Sequence, residues 1–382
     1  MKLESFTSGT YTKHEGYKAF LPTSINTSWE WDDPKISVLL EKASAELGGL
    51  NSFADLIPNI DVYIKMHIYT EANKSSKIEG TKTSIEEDLL PIEDISPEKR
   101  DDYIEVHNYI DALNYGINRV TKDDFPLCGR LLCEVHKILM RGARGKNKEP
   151  GEFRRSQNWI GGTRPDNALY VPPHITHLWD AFSDFEKFIH NENIYVPHLV
   201  KVALLHYQFE SIHPFLDGNG RIGRLLIPLY LLDKKVLDKP CFYISDYLEM
   251  HRSAYFEALE RVRLKNDMSH WIKFFLEAVI YTAQSAKDKF KRVILLVKDY
   301  NEQLYSFSGK IANNKSVLES FFDEPFQGIK DIQETTGLSN PAVTRVIKQM
   351  LDKEVIIETT GYSRNRVFVL QNYFEIFSGL KL

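Results

Sequence analysis

The sequence predicts a mainly α protein: a helical bundle with a small β-hairpin, followed by a C-terminal winged helix-turn-helix domain. Apolar residues recur at three- and four-residue steps through most of the chain between residues 34 and 305, as on amphipathic helices. Two extended pieces within that stretch, NWIGG and ALYVPPHI, predict the hairpin. After Lys310 the pattern becomes helix, helix, turn, helix and then two alternating strands around a Gly-Tyr-Ser-Arg-Asn turn, which is the order of a winged helix-turn-helix.

The composition is that of an ordinary globular protein. The 382 residues are 43% hydrophobic and 26% charged, and a chain of this length typically folds as two or three domains. A formal net charge of −5 argues against a protein whose whole surface binds nucleic acid. Three cysteines without CxxC spacing argue against a disulfide framework or a zinc site. The chain start has no apolar signal-peptide core, and the apolar run 225–232 is too short to cross a bilayer, so we expect a cytoplasmic protein without a membrane partner.

The first predicted domain, residues 1–118, is helical after its first segment. Residues 1–30 are rich in serine and threonine and show no helical period, so we expect an irregular arm there. Glycines 48 and 49 should end the first helix, and residues 74–87 form a polar segment after the second. The helices of this domain are expected at about 34–47, 60–72 and 99–120.

The second predicted domain, residues 119–308, contains the hairpin pieces and the helices around the most polar motif. Its helices are expected at about 128–140, 175–190, 197–212, 220–233, 248–263 and 268–305. The last of these helices is long enough to link this domain to the third, residues 309–382, which is the winged helix-turn-helix domain.

The densest chemistry lies in the segment HPFLDGNGRIGR, residues 213–224. A helix arrives from about residue 200, and Pro214 disfavours helical geometry at His213, so the imidazole should lie near a helix end at the edge of a loop. The Gly-Asn-Gly run 218–220 tolerates unusual dihedral angles and lets backbone N–H groups converge on an anion. A new helix begins there, and its free N–H groups and dipole also favour an anion.

Three charged side chains complete this candidate anion site. Arg221 and Arg224 lie three residues apart in the first turns of the new helix, so both can face the same anion. Asp217 could be an ordinary turn aspartate, but beside a phosphate site its carboxylate suits Mg²⁺. With His213 as a base, this set of residues predicts phosphoryl or nucleotidyl transfer, in which positioning and charge neutralisation dominate.

Residues 213–224 resemble, at every fixed position, the HPFx(D/E)GNGRxxR signature of Fic domains. The segment HYQFESI before the motif, and GEFRRSQNWIGG and ALYVPP upstream, are similar to that family's helix and β-hairpin flap, and the N-terminal region looks like its accessory domain. The resemblance implies a Fic-type helical bundle and a protein adenylyltransferase, which moves AMP from ATP to a Ser, Thr or Tyr hydroxyl of a target protein. Glycine at position 220, where the family's kinase-like relatives carry lysine, favours adenylyl transfer over phosphorylation.

The resemblance also implies a role for each motif position. His213 would be the general base, and Asp217 would hold Mg²⁺ against the ATP phosphates. Residues 218–220 would cradle the α- and β-phosphates, while Arg221 and Arg224 would neutralise the outer phosphates. The positions implied to bind the nucleotide are Gly218, Asn219, Gly220, Arg221, Ile222, Gly223 and Arg224. The candidates for stacking on the adenine are Tyr247, Tyr255 and Phe256.

The segment SSKIEG, residues 75–80, matches the family's inhibitory (S/T)xxxE(G/N) motif through Ser75 and Glu79. Its position before the core implies that the inhibitory helix belongs to the same chain. A Glu79 carboxylate paired with Arg224 would occupy the donors that a γ-phosphate needs, so in-line attack at the α-phosphate would fail. By itself, Glu79–Gly80 is also compatible with an ordinary helix end capped by glycine. The same glutamate could position a water that removes AMP from a modified target.

The flap predicts how a target protein binds. Ile160, Gly161 and Gly162 would pair with the segment around Tyr170 to form a hairpin that has one free edge. An extended target segment can add to such an edge through main-chain hydrogen bonds. That mode of binding would bring a side-chain hydroxyl near His213 with little demand on the target sequence.

Three other interpretations stay open. His206, Glu210 and His213 have the spacing of a metal triad, although a histidine such as His206 more often packs in a core. The chain could instead be a nucleotide-sensing transcription regulator whose winged domain binds DNA. Residues 310–366 contain eight Lys or Arg and eight Asp or Glu, a weaker basic bias than tight DNA binding shows, so an interaction or homodimer role is at least as well supported. In the third interpretation, the protein is a transferase that donates another group, such as UMP.

Overall fold

A computed structural model describes residues 1–55, 57, 60–142, 145, 147–361 and 366–379. The described chain is mainly helical, as predicted, and has two small antiparallel sheets. The helices are α1 (Pro34–Asp55), α2 (Asp61–Glu79), α3 (Arg100–Thr121), α4 (Gly129–Leu139), α5 (Ile175–His190), α6 (His198–Ile212), α7 (Asn219–Asp233), α8 (Ser245–Met250), α9 (Arg252–Lys265), α10 (Met268–Leu304), α11 (Ile311–Asp323), α12 (Ile329–Thr336), α13 (Asn340–Asp352) and α14 (Gln371–Ser378). The strands are β1 (Gly9–His14), β2 (Tyr17–Pro22), β3 (Phe326–Gly328), β4 (Ile357–Glu358) and β5 (Val367–Val369). Short 3₁₀ turns occupy Leu3–Ser5, Glu87–Leu89, Ile92–Asp94, Pro97–Lys99 and Pro165–Asn167.

The motif 213–224 joins two helices at the centre of the bundle. Residues 199–209 of α6 and 221–232 of α7 are all buried, and α5, α7 and α10 pack around α6. Both helices are buried on all sides, and such close-packed helices shift only at a cost to the whole core. The loop between them is therefore held in a defined geometry. No helix in the described part of the chain is long and apolar enough to cross a bilayer.

The N-terminal arm is not irregular, as the sequence predicts, but begins with a β-hairpin. β1 pairs antiparallel with β2 in a register that runs from Gly9 opposite Pro22 to His14 opposite Tyr17. Phe20 on β2 is buried. The prediction is wrong because β1 consists of exposed and half-buried residues and so gives no apolar alternation to read.

Helix α1 continues through Gly48 and Gly49, where the sequence predicts its end. Its apolar face does not stop at the glycines, since Leu50 and Ala54 are buried, and the helix packs along α10. Two glycines cost a helix roughly 2 kcal/mol relative to alanine. Tertiary packing offsets this cost, which a local propensity rule does not include.

Helix α2 runs to Glu79, beyond the predicted end near residue 72. The added segment is polar, but it is largely buried and finds partners inside the protein: Asn73 donates to the Asp88 carboxylate at 2.5 Å. Gly80 then ends the helix in the left-handed conformation, with a φ of 111°. The sequence places this segment outside the helix because its buried side chains are polar and hydrogen-bonded, so the sequence shows no apolar helical period there.

Most helices of the second predicted domain have the expected bounds, but the one expected at 248–263 is divided. Helix α8 ends at Met250, α9 begins at Arg252, and His251 between them has a non-helical ψ of 34°. Arg252 Nε donates to the Ile78 carbonyl at 3.1 Å, so the start of α9 contacts the end of α2.

The C-terminal residues contain the three predicted helices, α11, α12 and α13, and the two predicted strands, β4 and β5, after them. Strand β3, which is not predicted, lies between α11 and α12, and the sheet has the antiparallel order β3-β5-β4. Positions 362–365 of the predicted turn lie outside the described residues. Helix α14, which is not predicted, packs on α10 and α2, and the Phe377 ring meets the His67 ring at 5.0 Å. The C-terminal elements are thus attached to the helix that carries Glu79.

Candidate active site

His213 ends α6 in an unusual backbone conformation. Its φ of 51° and ψ of 61° lie in the left-handed region, which is strained for a residue with a side chain. Two side chains hold its carbonyl: Arg154 Nε donates at 3.0 Å and Asn158 Nδ2 at 3.2 Å. Arg154 is itself buried and also donates to the Pro173 carbonyl at 2.6 Å. Arg154 and Asn158, which precede the flap, therefore hold the main chain of His213 in place.

The His213 imidazole is neutral at pH 7. Burial lowers its pKa to about 4, and the Glu210 carbonyl and nearby carboxylates compensate only in part. Its Nδ1 lies 3.2 Å from the Glu210 carbonyl oxygen, a contact that favours a proton on Nδ1. Nε2 is then the nitrogen that has a lone pair for an incoming proton.

The loop 217–220 is braced by hydrogen bonds within the motif. Gly218 has a φ of 76°, and a Cβ there would also approach Met140 Sδ to 2.9 Å. Asn219 uses both ends of its amide on Phe215, whose N–H and carbonyl each lie at 2.8 Å. The Asn219 side chain therefore supports the loop, and any contact with an anion would come from the N–H groups of the first turn of α7, which have no partner within a helix.

Asp217 lies at the open edge of this loop. Its side chain is 46% exposed, and its Oδ1 accepts the Gly218 N–H at 2.6 Å. Among the described residues, no three His, Cys, Asp or Glu side chains form a group that could hold a metal ion by themselves. A cation at Asp217 would need further ligands from a substrate or from water.

Arg224 is buried and bound to α2. Its Nε donates to Ser75 Oγ at 2.8 Å, and its Nη2 donates to the Ser75 carbonyl at 2.9 Å and to Glu79 Oε1 at 2.7 Å. Burial by itself would lower the pKa of Arg224, but the Glu79 charge, together with smaller contributions from Tyr255, Tyr109 and Glu210, holds it above its ordinary value. The pairing of Glu79 with Arg224 that the sequence predicts is present.

The Glu79 carboxylate stands against the first turn of α7. Burial raises its pKa, but the charge and hydrogen bond of Arg224 and the charge of Arg221 outweigh burial, so the net pKa is below its ordinary value. A Cβ at Gly220 would collide with Glu79 Oε1. Glycine at this position therefore leaves the room that the carboxylate occupies.

Arg221 is paired with a second carboxylate from the N-terminal helices. Its Nη1 donates to Glu105 Oε2 on α3 at 3.0 Å, and its side chain is 7% exposed. Glu79 and Glu105 thus each hold one of the two motif arginines. Glu105 is not predicted from the sequence, because no spacing within α3 tells which of its faces meets the motif.

These residues line one cleft of about 640 Å³. His213, the glycine-rich loop, both arginines and Glu79 are all part of its wall. Of the three aromatic candidates, Tyr255 and Phe256 line the cleft and Tyr247 does not. Phe256 is 42% exposed, whereas Tyr255 is buried. Of these two rings, therefore, mainly that of Phe256 is exposed to the cleft.

The flap is a loop closed by one antiparallel bridge rather than by regular strands. Ile160 and Tyr170 exchange main-chain hydrogen bonds of 2.8 and 3.1 Å. Gly161 and Gly162 make the turn that follows, with φ values of 70° and 71°. The Tyr170 hydroxyl is buried and donates to the Ser211 carbonyl at 2.5 Å, which ties the flap to α6. The predicted hairpin is therefore reduced to this bridge.

One edge of the flap is already covered. The Phe20 N–H of β2 donates to the Val171 carbonyl at 2.9 Å, so the N-terminal hairpin lies beside this part of the flap. Residues 159–161, on the other side of the bridge, line the cleft with His213. The edge that an extended segment could reach beside His213 is therefore that of residues 159–161.

Two family models match this chain. The Fic/DOC family N-terminal model covers residues 38–118, and the Fic/DOC family model covers residues 126–231, which include the whole motif. The chain belongs to the Fic/DOC family. The resemblance expected from the motif is thereby confirmed.

Curated relatives of this Fic/DOC chain bear the name protein adenylyltransferase Fic. Those from Aedes aegypti and Culex quinquefasciatus are each 30% identical over 222 residues, which is 57% of this chain and 40% of theirs. The one from Drosophila melanogaster is 28% identical over 223 residues, again 40% of its length. The match thus spans about two fifths of the length of these relatives.

Solved structures of Fic proteins share the fold. A Fic family protein from Desulfovibrio desulfuricans G20 gives a TM-score of 0.56 at 20% identity, over 88% of this chain and 96% of that chain. Fic-1 from C. elegans gives a TM-score of 0.54 at 18% identity, over 67% of this chain and 73% of that chain. At such identities the likeness concerns the fold alone.

In this Fic/DOC protein His206 is a core residue and not part of a metal triad. Its Nδ1 contacts the Gly223 carbonyl and its Nε2 the Tyr255 hydroxyl, both at 2.8 Å. Burial lowers its pKa to about 4. With both ring nitrogens engaged inside the core, His206 has no lone pair to offer a metal together with His213 and Glu210.

Proposed function

We propose that this protein is a protein adenylyltransferase that moves AMP from ATP to a Ser, Thr or Tyr hydroxyl of a target protein. One observation carries the proposal: a neutral histidine, a glycine-rich helix N-terminus and two arginines line a single cleft. Relatives named adenylyltransferases support this reaction class over a transcription regulator. The donated group is AMP rather than UMP on the same ground.

In the proposed reaction His213 Nε2 accepts the proton of the target hydroxyl while its oxygen attacks the α-phosphorus of ATP. The bond from the α-phosphorus to the bridging oxygen breaks, and pyrophosphate leaves with that electron pair. The N–H groups of residues 219 and 220 at the start of α7, together with Arg221 and Arg224, stabilise the phosphate charges. Because its pKa is about 4, His213 needs no prior deprotonation at pH 7.

Mg²⁺ fits the site as a cofactor held by Asp217. The carboxylate is partly exposed at the loop edge, beside the first turn of α7 where phosphates would bind. Mg²⁺ in phosphoryl-transfer sites typically takes one or two carboxylates plus substrate phosphates, so a complete protein cage is not required. When bound, the ion would neutralise charge on the phosphates and the leaving pyrophosphate.

Glu79 keeps the resting enzyme inhibited in this proposal. Its ion pair occupies Arg224, whose guanidinium would otherwise bind an outer phosphate, and its own negative charge repels the triphosphate. ATP can then bind only with its phosphates displaced, and in-line attack fails. The same carboxylate can orient a water toward an AMP-modified target, so removal of AMP is a second activity of this site.

The target protein binds along the flap edge formed by residues 159–161. Trp159 and Ile160 are 38% and 40% exposed there, and main-chain groups at an unpaired edge can bind an extended segment of almost any sequence. Ile160, Gly161, Gly162 and Tyr170 shape this edge. The adenine stacks on the exposed Phe256 ring, with Tyr255 behind it.

The C-terminal residues 311–378 form a winged helix-turn-helix module in this proposal. The equal numbers of acidic and basic residues in 310–366 favour an interaction role, such as a homodimer contact, over DNA binding. A gel shift with the full-length protein at increasing salt concentration tests DNA binding. A complex that forms at low salt and weakens steeply as salt rises would support it.

The test uses lysate proteins treated with ATP, Mg²⁺ and the Glu79→Gly variant, followed by mass spectrometry. We expect adenylylated peptides whose number falls to background with Glu79→Gly/His213→Ala. Equal modification by the two variants would refute the role of His213. No modification by either variant, with ATP bound, would refute adenylyl transfer.

A further inference from the structure

Glu210 is a buried carboxyl group in the cleft to which the proposed reaction gives no role. It lies in the last turn of α6, its side chain is 13% exposed, and it lines the same cleft as His213. Its Oε1 has no hydrogen-bond partner among the described residues. A buried polar atom without a partner is costly to a folded protein, so packing by itself gives no reason for a glutamate here.

The backbone places the Glu210 carboxyl against both His213 and Gly223. Because His213 ends α6 in the left-handed conformation, its ring turns back along the helix, and its Nδ1 lies 4.0 Å from Glu210 Oε2. On the opposite side, a Cβ at Gly223 would collide with Glu210 Oε1. Gly223, implied from the sequence to bind nucleotide, thus provides the space that the Glu210 carboxyl fills.

The charged and titratable groups around Glu210 come from each neighbouring helix. Arg224 of α7 and Glu79 of α2 both shift the pKa of Glu210. The Glu210 charge in turn raises the pKa of Tyr255 on α9, and His213 follows at the end of the same helix as Glu210. Burial raises the pKa of Glu210 to about 8; Arg224 opposes this rise and Glu79 adds to it. The carboxyl is therefore largely protonated at pH 7 and ionises in a range that an enzyme assay can cover.

We propose that Glu210 is a positioning residue for His213. The Glu210 carboxylate faces the Nδ1 edge of the His213 ring and stabilises the imidazolium formed during transfer. This inference rests on the proposed adenylyl transfer. The proton passes from the target hydroxyl to Nε2, the hydroxyl oxygen bonds to the α-phosphorus, and pyrophosphate leaves. The new positive charge on the ring then lies about one ion-pair distance from Glu210, where a negative charge lowers the energy of the transition state.

The kinetic test compares Glu210, Glu210→Asp and Glu210→Gln, each in the Glu79→Gly background. At about pH 9, where the wild-type carboxyl is largely ionised, we expect kcat of the glutamine variant to be about tenfold below wild type, equal to about 1.4 kcal/mol, with KM for ATP nearly unchanged. The rate should rise with pH as Glu210 ionises, should keep this rise with aspartate, and should lose it with glutamine. A merely structural role would lower the rate equally at every pH, or would raise KM instead, and either result would overturn the inference.

A second readout does not require adenylyl transfer. Histidine side-chain NMR of the full chain, with His213→Asn to assign the signal, should show the neutral His213 ring shifting near pH 8 in the wild type. Glu210→Gln should remove that shift. An unchanged shift in the glutamine variant would exclude the Glu210–His213 coupling. If the coupling is present but no variant transfers AMP, the proposed function fails and the contact stands.

Discussion

Glu79 Oε1 lies 2.7 Å from Arg224 Nη2, and this ion pair joins the end of α2 to the motif helix. Arg224 is 1% exposed, so the pair is hardly screened by solvent on the arginine side. Removing Glu79 leaves the buried Arg224 charge uncompensated, which is costly unless another anion replaces the carboxylate. A triphosphate is such an anion, and in the proposed mechanism the competition between it and Glu79 sets how tightly ATP binds.

Ser75 should contribute measurably to this lock. Ser75→Ala removes the hydrogen bond from Arg224 Nε, and we expect ATP affinity to rise about two- to tenfold, the worth of one such bond. Isothermal titration calorimetry measures the change. Ser76→Ala is the matched control, because Ser76 is equally buried and its Oγ has no partner among the described residues. Equal effects of the two variants would show that the Arg224–Ser75 contact is not part of the lock.

The motif part of the site follows from the sequence, because its chemistry is local. Pro214 ends α6, the glycines permit the loop, and the two arginines follow at a fixed helical spacing. The lock between Glu79 and Arg224 is expected as well, but only through the resemblance, since 145 positions separate the pair. The spacing of residues along the sequence shows which of them share one face of a helix. It does not show which faces of different helices pack together.

The residues that sequence reasoning misses are those brought in by tertiary packing. Glu105 and Arg252 belong to helices whose orientation toward the cleft is set by the core, and Arg154 acts through backbone carbonyls that no motif describes. The errors in the fold have the same origin. Helix α1 passes its glycines because α10 supports it, and β1 gives no signal because its partner supplies the buried residues.

Glu105 should act as a second lock. Glu105→Gln removes the carboxylate that holds Arg221, so Arg221 becomes available to phosphates, and we expect ATP affinity to rise about three- to tenfold. Asp111→Asn removes a negative charge from the same helix at a 63% exposed position and is the control. A fall in ATP affinity with Glu105→Gln would show instead that Glu105 holds Arg221 in its working position.

Glu210 should make stability depend on pH. Its pKa is about 8 in the folded protein and near 4.5 when unfolded, so the unfolded chain loses this proton first as pH rises. The wild-type free energy of unfolding therefore falls between those values, whereas Glu210→Gln has no such loss. We expect the Tm of the glutamine variant, relative to the wild type, to increase from pH 5 to pH 9. A constant difference in thermal denaturation would contradict the raised pKa.

The flap edge should affect the target and not the nucleotide. Ile160→Asp places a charge on the apolar edge of the cleft, and we expect KM for a protein target to rise about tenfold with ATP affinity unchanged. Tyr195→Asp changes an 89% exposed residue between α5 and α6 and serves as the control. Equal KM values for the target in both variants would show that the target does not bind at the flap edge.

The proposed function requires that the loop from His213 to Arg224 binds ATP so that its α-phosphorus is attacked. The direct measurement is transfer of label to target proteins by the Glu79→Gly variant from ATP labelled at the α- or at the γ-phosphate. We expect label from the α-position only, and none when His213 is replaced by alanine. Label from the γ-position, or label that survives the loss of His213, would contradict it.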